Sequence, residues 1–238
     1  MNLYVTGFTH TGTVKTRNED RVLLHDYLVV SQQFEAQYTT PSHFFVADGV
    51  GGSPAGDFAA NFVLSRLKDH LLSDFYVEDD KLFSLLNSIN RELLEYSAIT
   101  PGYGGMATTL SGVVFNGRQY KIVSVGDSPV LLFRDSELHK LTTEPIFGEP
   151  GSNSPLMSFF GGNENSMQVN FSSGLDQIYS GDIFLVASDG IFKALTTMQI
   201  EKILSTSKSL NEKSSFVLFK ALQIGSPDNI SCIFISIK

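Results

Sequence analysis

Aspartates followed by glycine or asparagine punctuate the apolar segments of this chain. Asp48 and Asp189 each follow an apolar run and precede a glycine, while Asp127 follows another run and Asp228 precedes the last one. A single Asp-Gly pair is more often turn chemistry than a functional site. Several carboxylates that converge on one edge of a sheet are costly without cations. All-oxygen ligands select hard ions such as Mg²⁺ or Mn²⁺, so the recurring aspartates predict a divalent-cation site.

The histidines and the cysteine offer no comparable site. No His-x-x-x-His pattern or cysteine pair suggests zinc, and the five histidines are dispersed along the chain. The single cysteine, Cys232, cannot form an intrachain disulfide, and its apolar surroundings predict a buried strand thiol. We therefore interpret these side chains as structural and expect a reducing environment.

Strands and helices that would position the aspartates can be predicted from the spacing of apolar residues. Apolar residues at helical spacing predict helices over residues 56–72 and 80–96. Shorter helices are predicted over residues 197–205 and 212–222, the first capped by Thr196 or Thr197. The clearest predicted strands are residues 43–47, 111–115, 120–125, 130–134, 183–187 and 230–237.

Because the strands cluster instead of alternating with helices, we predict an α+β fold of antiparallel sheets covered by helices. Residues 144–165 are rich in Pro, Gly, Ser and Asn, which predicts a long surface loop or flap. A linker between two domains is the competing interpretation. The strands after it are too few to build a second core, so we predict one domain spanning residues 1–238.

The composition excludes several classes of protein. With 42% hydrophobic and 18% charged residues, the 238-residue chain is typical of a globular protein. Its net charge of −8 and lack of basic runs disfavour a nucleic-acid partner, although plain solubility also explains an acidic excess. The N-terminal residues lack the pattern of a signal peptide, and no apolar stretch approaches a membrane span. We expect a cytoplasmic protein without a membrane partner.

Taken in order, the segments around these aspartates resemble the PP2C-type (PPM) metal-dependent protein phosphatases, particularly their compact bacterial members. The resemblance runs from about Gly7 to Ile237. One short motif alone is weak evidence for a family, whereas several motifs in the family's order are specific evidence. The blocks are GTVKTRNED at 12–20, VADGVGG at 46–52 with Ala55-Gly56, GMATTL at 105–110, VGDS at 125–128, SDG at 188–190 and DNI at 228–230.

The resemblance implies a central antiparallel β-sandwich flanked by helices on both faces, a four-layer αββα arrangement with metal ions at one end. It implies two ions, Mn²⁺ or Mg²⁺. By position, Asp48 would bridge them and the Gly49 carbonyl would ligate one of them. Asp189 and Asp228 would complete the first ion.

The second ion would be held by Glu19 and Asp20, directly or through its waters, and Asp127 matches a position that helps to hold a weaker third ion. The implied activity is hydrolysis of phosphoserine and phosphothreonine. A water acidified by the two ions attacks phosphorus in line, with no phosphoenzyme intermediate. Asp20, Asp48, Asp189 and Asp228 are the residues on which we expect catalysis to depend.

Four features depart from the family pattern. Lys15 stands where the family usually has a phosphate-gripping Arg, and a lysine offers a point charge instead of a bidentate fork. Arg17 either compensates as a phosphate ligand or is a solvated surface charge. Ser53 replaces a histidine proposed as general acid, so no acid is assigned. Pro129 replaces another Arg, and the segment 144–160 is shorter than usual, which leaves substrate choice open.

Two other functions compete with an active phosphatase. A regulatory or scaffold member could keep the fold and turn over poorly, but the complete aspartate set argues against it. Another two-metal phosphoester hydrolase, such as a nuclease, is disfavoured by the acidic balance. The expected partners are phosphorylated proteins and a cognate Ser/Thr kinase, by analogy with bacterial relatives. A monomer is the default expectation.

Overall fold

The computed structural model describes residues 1–53, 55–71, 78–143, 158–162, 167–173 and 177–238. Within these residues the chain forms fourteen strands and five helices. The helices are α1 (Gly56–Leu71), α2 (Asp79–Ile99), α3 (Gly190–Ala194), α4 (Thr197–Leu204) and α5 (Leu210–Ile224). The strands are β1 (Asn2–His10), β2 (Arg21–Leu24), β3 (Tyr27–Val29), β4 (Gln32–Thr39), β5 (Ser42–Ala47), β6 (Ala107–Thr108), β7 (Leu110–Asn116), β8 (Gln119–Val125), β9 (Val130–Arg134), β10 (Glu137–Lys140), β11 (Phe160–Gly161), β12 (Asn170–Ser173), β13 (Ile183–Ala187) and β14 (Ile230–Ile237).

Two six-stranded sheets form the centre of the molecule. The first has the order β10-β9-β13-β14-β1-β4 and the second the order β12-β8-β7-β5-β2-β3. All neighbouring strands are antiparallel, and β11 pairs separately with β6. An α+β fold built on antiparallel sheets, as predicted, is therefore confirmed.

Strands buried on both faces separate the layers. In β13, Phe184 and Val186 lie in the core between the two sheets, whereas Ile183, Leu185 and Ala187 pack with residues of α3, α4 and α5. This division follows from the alternation of side chains along a strand. Residues of α1 and α2 form a third core with the outer face of the second sheet. The layers are thus helices, sheet, sheet and helices.

The predicted elements agree closely with those observed. All six predicted strands and four predicted helices are present, with ends that differ by a few residues at most. Thr196 caps α4 through a capping box, in which its hydroxyl accepts from the Gln199 amide. Cys232 is fully buried in β14, as predicted. Among the described helices, none is both long and apolar enough to cross a membrane.

The predicted flap over residues 144–165 is only partly within the described residues, since residues 144–157 and 163–166 lie outside them. The described part is not a surface loop, and the prediction was wrong there. Ser158 and Phe160 are fully buried, and Gly161 pairs with Ala107 across β11 and β6. The polar composition of the segment concealed this buried Phe160, which packs with residues of α1 and α2.

Candidate metal and active site

The strand ends that carry the predicted site residues meet at one end of the sandwich. In the first sheet, Ala187 at the end of β13 pairs with Cys232 near the start of β14, and His10 at the end of β1 pairs with Ile230. In the second sheet, the start of β2 pairs with the end of β5 through Arg21 and Ala47. Antiparallel pairing thereby brings the residues that follow β1, β5 and β13 to the same end as those that precede β2 and β14.

Asp20 lies at this end of the sandwich and is completely buried. Its Oδ2 accepts hydrogen bonds from the hydroxyls of Ser188 at 2.8 Å and Ser231 at 2.6 Å. Its Oδ1 has no hydrogen-bond partner within the described part of the chain. Burial raises the pKa of Asp20 to about 6 despite the two hydroxyls, which favour the ionised form. Oδ1 is therefore a buried carboxylate oxygen to which no donor group among the described residues is hydrogen-bonded.

Asp48 follows β5 and is fixed by its backbone. Its carbonyl accepts from the Thr109 amide at 2.8 Å and the Thr108 hydroxyl at 2.9 Å, and its amide donates to the Thr109 hydroxyl at 3.2 Å. The Thr109 and Ser128 hydroxyls are hydrogen-bonded to each other at 3.0 Å, which ties this turn to the one that holds Asp127. Thr108 and Thr109 thus fix the backbone of Asp48 at the end of β5.

The aspartates influence one another through their charges. The pKa of Asp48 lies well above its usual value, first because of desolvation and then because of nearby carboxylates. These carboxylates belong to Asp20, Asp189, Asp228 and Asp127. All five aspartates predicted from the sequence are therefore brought together at this end of the molecule.

Asp189 and Asp228 are bridged by a lysine that the sequence analysis did not single out. Nζ of Lys193 lies 2.7 Å from Oδ2 of Asp189 and 2.7 Å from Oδ2 of Asp228. Nζ of Lys15 lies 2.9 Å from the other oxygen of Asp228. Burial opposes ionisation of Asp228, but the hydrogen bonds from Lys193 and Lys15 outweigh it and lower the pKa of this carboxyl. This half of the site is therefore neutralised by the chain itself.

Asn229 fastens the loop between β1 and β2, which carries Lys15 and Glu19. Its side-chain amide donates to the carbonyls of Thr11 at 2.8 Å and Arg17 at 2.9 Å, and its Oδ1 accepts from the Glu19 amide at 2.9 Å. The sequence block contained Asn229, but its role depends on contacts more than two hundred residues apart. Desolvation raises the pKa of Glu19, and the nearby Lys15 opposes that shift.

Gly49 lies where the N-terminus of α1 passes closest to Glu19. A Cβ on Gly49 would stand 2.6 Å from the carbonyl carbon of Gly56 and 2.9 Å from Cβ of Glu19. Real Cβ contacts are not that short, so only glycine fits here. Gly56 is the first residue of α1 and would itself meet Gly49 at 3.1 Å. This close approach explains why both positions in the motif are glycine.

Arg17 lies beside the aspartates in an ion pair. Its Nη2 is 2.7 Å from Oδ2 of Asp57, which also contacts Nη2 of the buried Arg21 at 3.2 Å. The Arg17 side chain is 67% exposed. Arg21 donates as well to the carbonyls of Asn18 and Asp20, so it supports the loop rather than a ligand. This Asp57–Arg21 pair is not visible in the sequence because the two residues are far apart in the chain.

Two positions that depart from the family pattern have clear local roles. The Ser53 hydroxyl donates to the Val50 carbonyl at 2.8 Å within its own turn. The Pro129 carbonyl accepts from the Ala187 amide at 3.1 Å, which connects the start of β9 to the end of β13. Both contacts are structural.

The donor set fits divalent cations in its chemistry. In the described residues, no three His, Cys, Asp or Glu side chains are arranged so that they could hold a metal ion as they stand. The two lysines lie among the carboxylates of Asp189 and Asp228. The unpartnered Oδ1 of Asp20 and the raised pKa of Asp48 nevertheless indicate carboxylates that lack their counter-charge. Hard, oxygen-preferring cations would supply it.

Comparisons with known proteins connect this geometry to one family. The family described as protein phosphatase 2C matches residues 24–222, a span that contains Asp48, Asp127 and Asp189. The serine/threonine phosphatase stp of Listeria monocytogenes is 28% identical over 95% of this chain and 93% of its own length. The crystal structure of the Mycobacterium tuberculosis serine/threonine phosphatase PstP/Ppp superposes with a TM-score of 0.80, at 25% identity and full coverage of both chains. The crystal structure of the catalytic domain of PstP in complex with two manganese ions superposes with a TM-score of 0.77, at 25% identity and over 99% of each chain.

Proposed function

The chain belongs to the protein phosphatase 2C family, and we propose that it hydrolyses phosphoserine and phosphothreonine in proteins, using Mn²⁺ or Mg²⁺ at the Asp48 end of the sandwich. The family, the fold class and the enzyme class predicted from the sequence are confirmed. The observation that carries the proposal is the convergence of four aspartates on Asp48, whose pKa is raised by desolvation and then by their charges. Crowded carboxylates destabilise the folded protein by mutual repulsion, and bound cations would offset that repulsion.

The proposed ligands divide into two groups that share Asp48. Asp48, Asp189 and Asp228 would hold one ion, together with the Gly49 carbonyl. Glu19 and Asp20 would hold the second ion, directly or through its waters, and the Asp20 Oδ1 has no hydrogen-bond donor among the described residues. Asp127 would contribute to a weaker third ion. When bound, the ions would supply an activated water as nucleophile and offset negative charge on the phosphoryl oxygens.

The rest of the chemistry belongs to side chains of this chain. Lys15 lies on the loop that Asn229 holds, and its Nζ is 2.9 Å from Oδ1 of Asp228. In this proposal it binds a phosphoryl oxygen as a point charge. The Arg17 ion pair with Asp57 uses Nη2, and a guanidinium carries five N–H donors, so donors remain for a phosphate. Ser53 is not the general acid, since its hydroxyl donates within its turn.

The relatives support further parts of the proposal. The Listeria and Mycobacterium proteins carry the name serine/threonine phosphatase, which supports phosphorylated proteins as substrates. The proposed setting is cytoplasmic, with a Ser/Thr kinase as the enzyme that supplies the substrate. The proposed assembly is a monomer, because one chain contains all the residues of the site.

Phosphate release from a phosphothreonine peptide and from p-nitrophenyl phosphate tests the proposal. We expect activity with Mn²⁺ or Mg²⁺ and none with EDTA. Asp48→Asn and Asp189→Asn should each lower kcat/KM by a factor on the order of a hundred or more, since each removes a charged ligand. Asp135→Asn is the matched control, because Asp135 is exposed in the turn between β9 and β10.

Three results would contradict the proposal at different levels. No phosphate release with either substrate at any concentration of Mn²⁺ or Mg²⁺ would refute the proposed function. Full activity of Asp48→Asn would leave a phosphatase but refute the assigned site. A preference for phosphotyrosine would change only the substrate class.

A further inference from the structure

Lys193 occupies the position between two proposed metal ligands. Its ammonium is 2.7 Å from a carboxylate oxygen of Asp189 and 2.7 Å from one of Asp228. The two carboxylates are 27% and 24% exposed, whereas the lysine side chain is 41% exposed. The lysine side chain is therefore more exposed than the two carboxylates that it bridges.

The backbone fixes this arrangement. Lys193 belongs to α3, which begins directly after Asp189, and its amide donates to the Asp189 carbonyl at 3.0 Å. The lysine is therefore one helical turn beyond the aspartate, the i,i+4 spacing at which an acid and a following base meet on a helix. Gly190 packs so closely against Asn229 that a Cβ there would overlap its carbonyl oxygen. That contact holds Asp228 beside the same helix.

The charges on this side of the site balance. Lys193 and Lys15 carry two positive charges, and Asp189 and Asp228 carry two negative charges. On the other side, Asp20 receives two neutral hydroxyl groups from Ser188 and Ser231. The two halves of the proposed site thus differ in the counter-charge that the chain supplies.

We propose that Lys193 is an internal counter-ion that competes with a divalent cation for Asp189 and Asp228. The inference rests on the proposed metal-dependent function and adds a control on it. A cation binds this carboxylate pair only after the ammonium has moved into solvent, which its exposed, flexible stem permits. Lys193 thereby weakens cation binding and stabilises the metal-free protein, so that the enzyme responds to the concentration of free cation.

Calorimetric titration with Mn²⁺ of the protein prepared metal-free tests this proposal. Lys193→Met keeps the length of the stem and removes the charge. We expect the Mn²⁺ concentration that half-saturates at least one binding step to fall about tenfold, the factor that corresponds to about 1.4 kcal/mol. Lys202→Met, on the exposed face of α4, is the matched control and should change every step by less than about twofold.

Thermal unfolding provides the second readout. In EDTA, Lys193→Met should melt below the wild-type protein, because the two carboxylates lose their counter-ion. In saturating Mn²⁺ this difference should disappear or reverse, because the ion replaces the lysine. A lysine with a purely structural role would lower the melting temperature equally in both conditions.

The outcomes separate the two proposals. If wild-type protein binds Mn²⁺ and hydrolyses phosphopeptide while Lys193→Met binds Mn²⁺ no more tightly, the counter-ion proposal is overturned and the proposed function stands. If neither protein binds Mn²⁺, both are overturned. Tighter binding by Lys193→Gln as well as Lys193→Met would exclude an effect of the methionine itself and support the proposal.

Discussion

Asn229→Ala should loosen the loop that carries Lys15 and Glu19. The asparagine is 3% exposed and forms three hydrogen bonds to that loop, one to the Glu19 amide and two to the carbonyls of Thr11 and Arg17. A net value of about 0.5–1.5 kcal/mol for each of the three bonds predicts a loss of roughly 1.5–4.5 kcal/mol in the free energy of unfolding. For a chain of this size the loss corresponds to about 3–18 °C in Tm.

Chemical denaturation in EDTA measures this effect without a contribution from bound cations. Asn87→Ala is the matched control, since the hydrogen bond of the Asn87 side chain within the described residues goes to the Phe83 carbonyl of its own helix, and the side chain is partly exposed. Its unfolding free energy should change by less than about 0.5 kcal/mol. Trypsin should also cut after Arg17 faster in Asn229→Ala, because Asn229 holds the Arg17 carbonyl. Equal denaturation midpoints for the two variants, with equal cleavage rates, would refute the role assigned to Asn229.

Two further predictions concern other parts of the fold. Gly190→Ala should lower the free energy of unfolding by more than about 2 kcal/mol, because its Cβ would overlap the Asn229 carbonyl oxygen. Gly104→Ala is the control and should be nearly neutral, because a Cβ at Gly104 would stand in open space. Equal melting temperatures of the two variants would contradict the close approach at Gly190. Burial and the nearby His25 lower the pKa of His43 from 6.5 to about 4. The unfolded chain therefore protonates this imidazole near pH 6.5, whereas the folded protein does so only near pH 4. The free energy of unfolding is unaffected by His43 above pH 6.5 and decreases as the pH falls from 6.5 toward 4. Over that pH range, the free energy of unfolding should decrease by roughly 2–3 kcal/mol more in the wild-type protein than in His43→Phe. Parallel pH profiles of the two proteins would contradict this role of His43.

Local patterns were sufficient to predict most of the strands and helices. The strands β13 and β14 are short apolar runs with Gly or Asp at their ends, and α4 has a recognisable cap at Thr196. The helix α3 was missed because five residues are too few to show a period. Of the N-terminal strands, β4 was missed because it lies at a sheet edge, where its side chains are exposed or only partly buried.

The predicted site residues were found by their order along the chain, while their partners were not. Asp20 was singled out by its motif, but the hydroxyls of Ser188 and Ser231 that hold it come from distant segments. Lys193 was overlooked although its spacing from Asp189 is a local signal, because a lysine does not belong among metal ligands. Searching for a base one turn after a predicted ligand would have found it.

The fold tolerates its crowded carboxylates by two different means. Around Asp228, hydrogen bonds from two lysines keep the carboxyl ionised and lower its pKa. Around Asp48, burial and then the nearby carboxylates raise the pKa, and around Asp20 burial raises it, with a smaller contribution from Asp228. In the proposed metal-bound enzyme, a divalent cation would displace the Lys193 ammonium on the first side and would supply a missing counter-charge on the second.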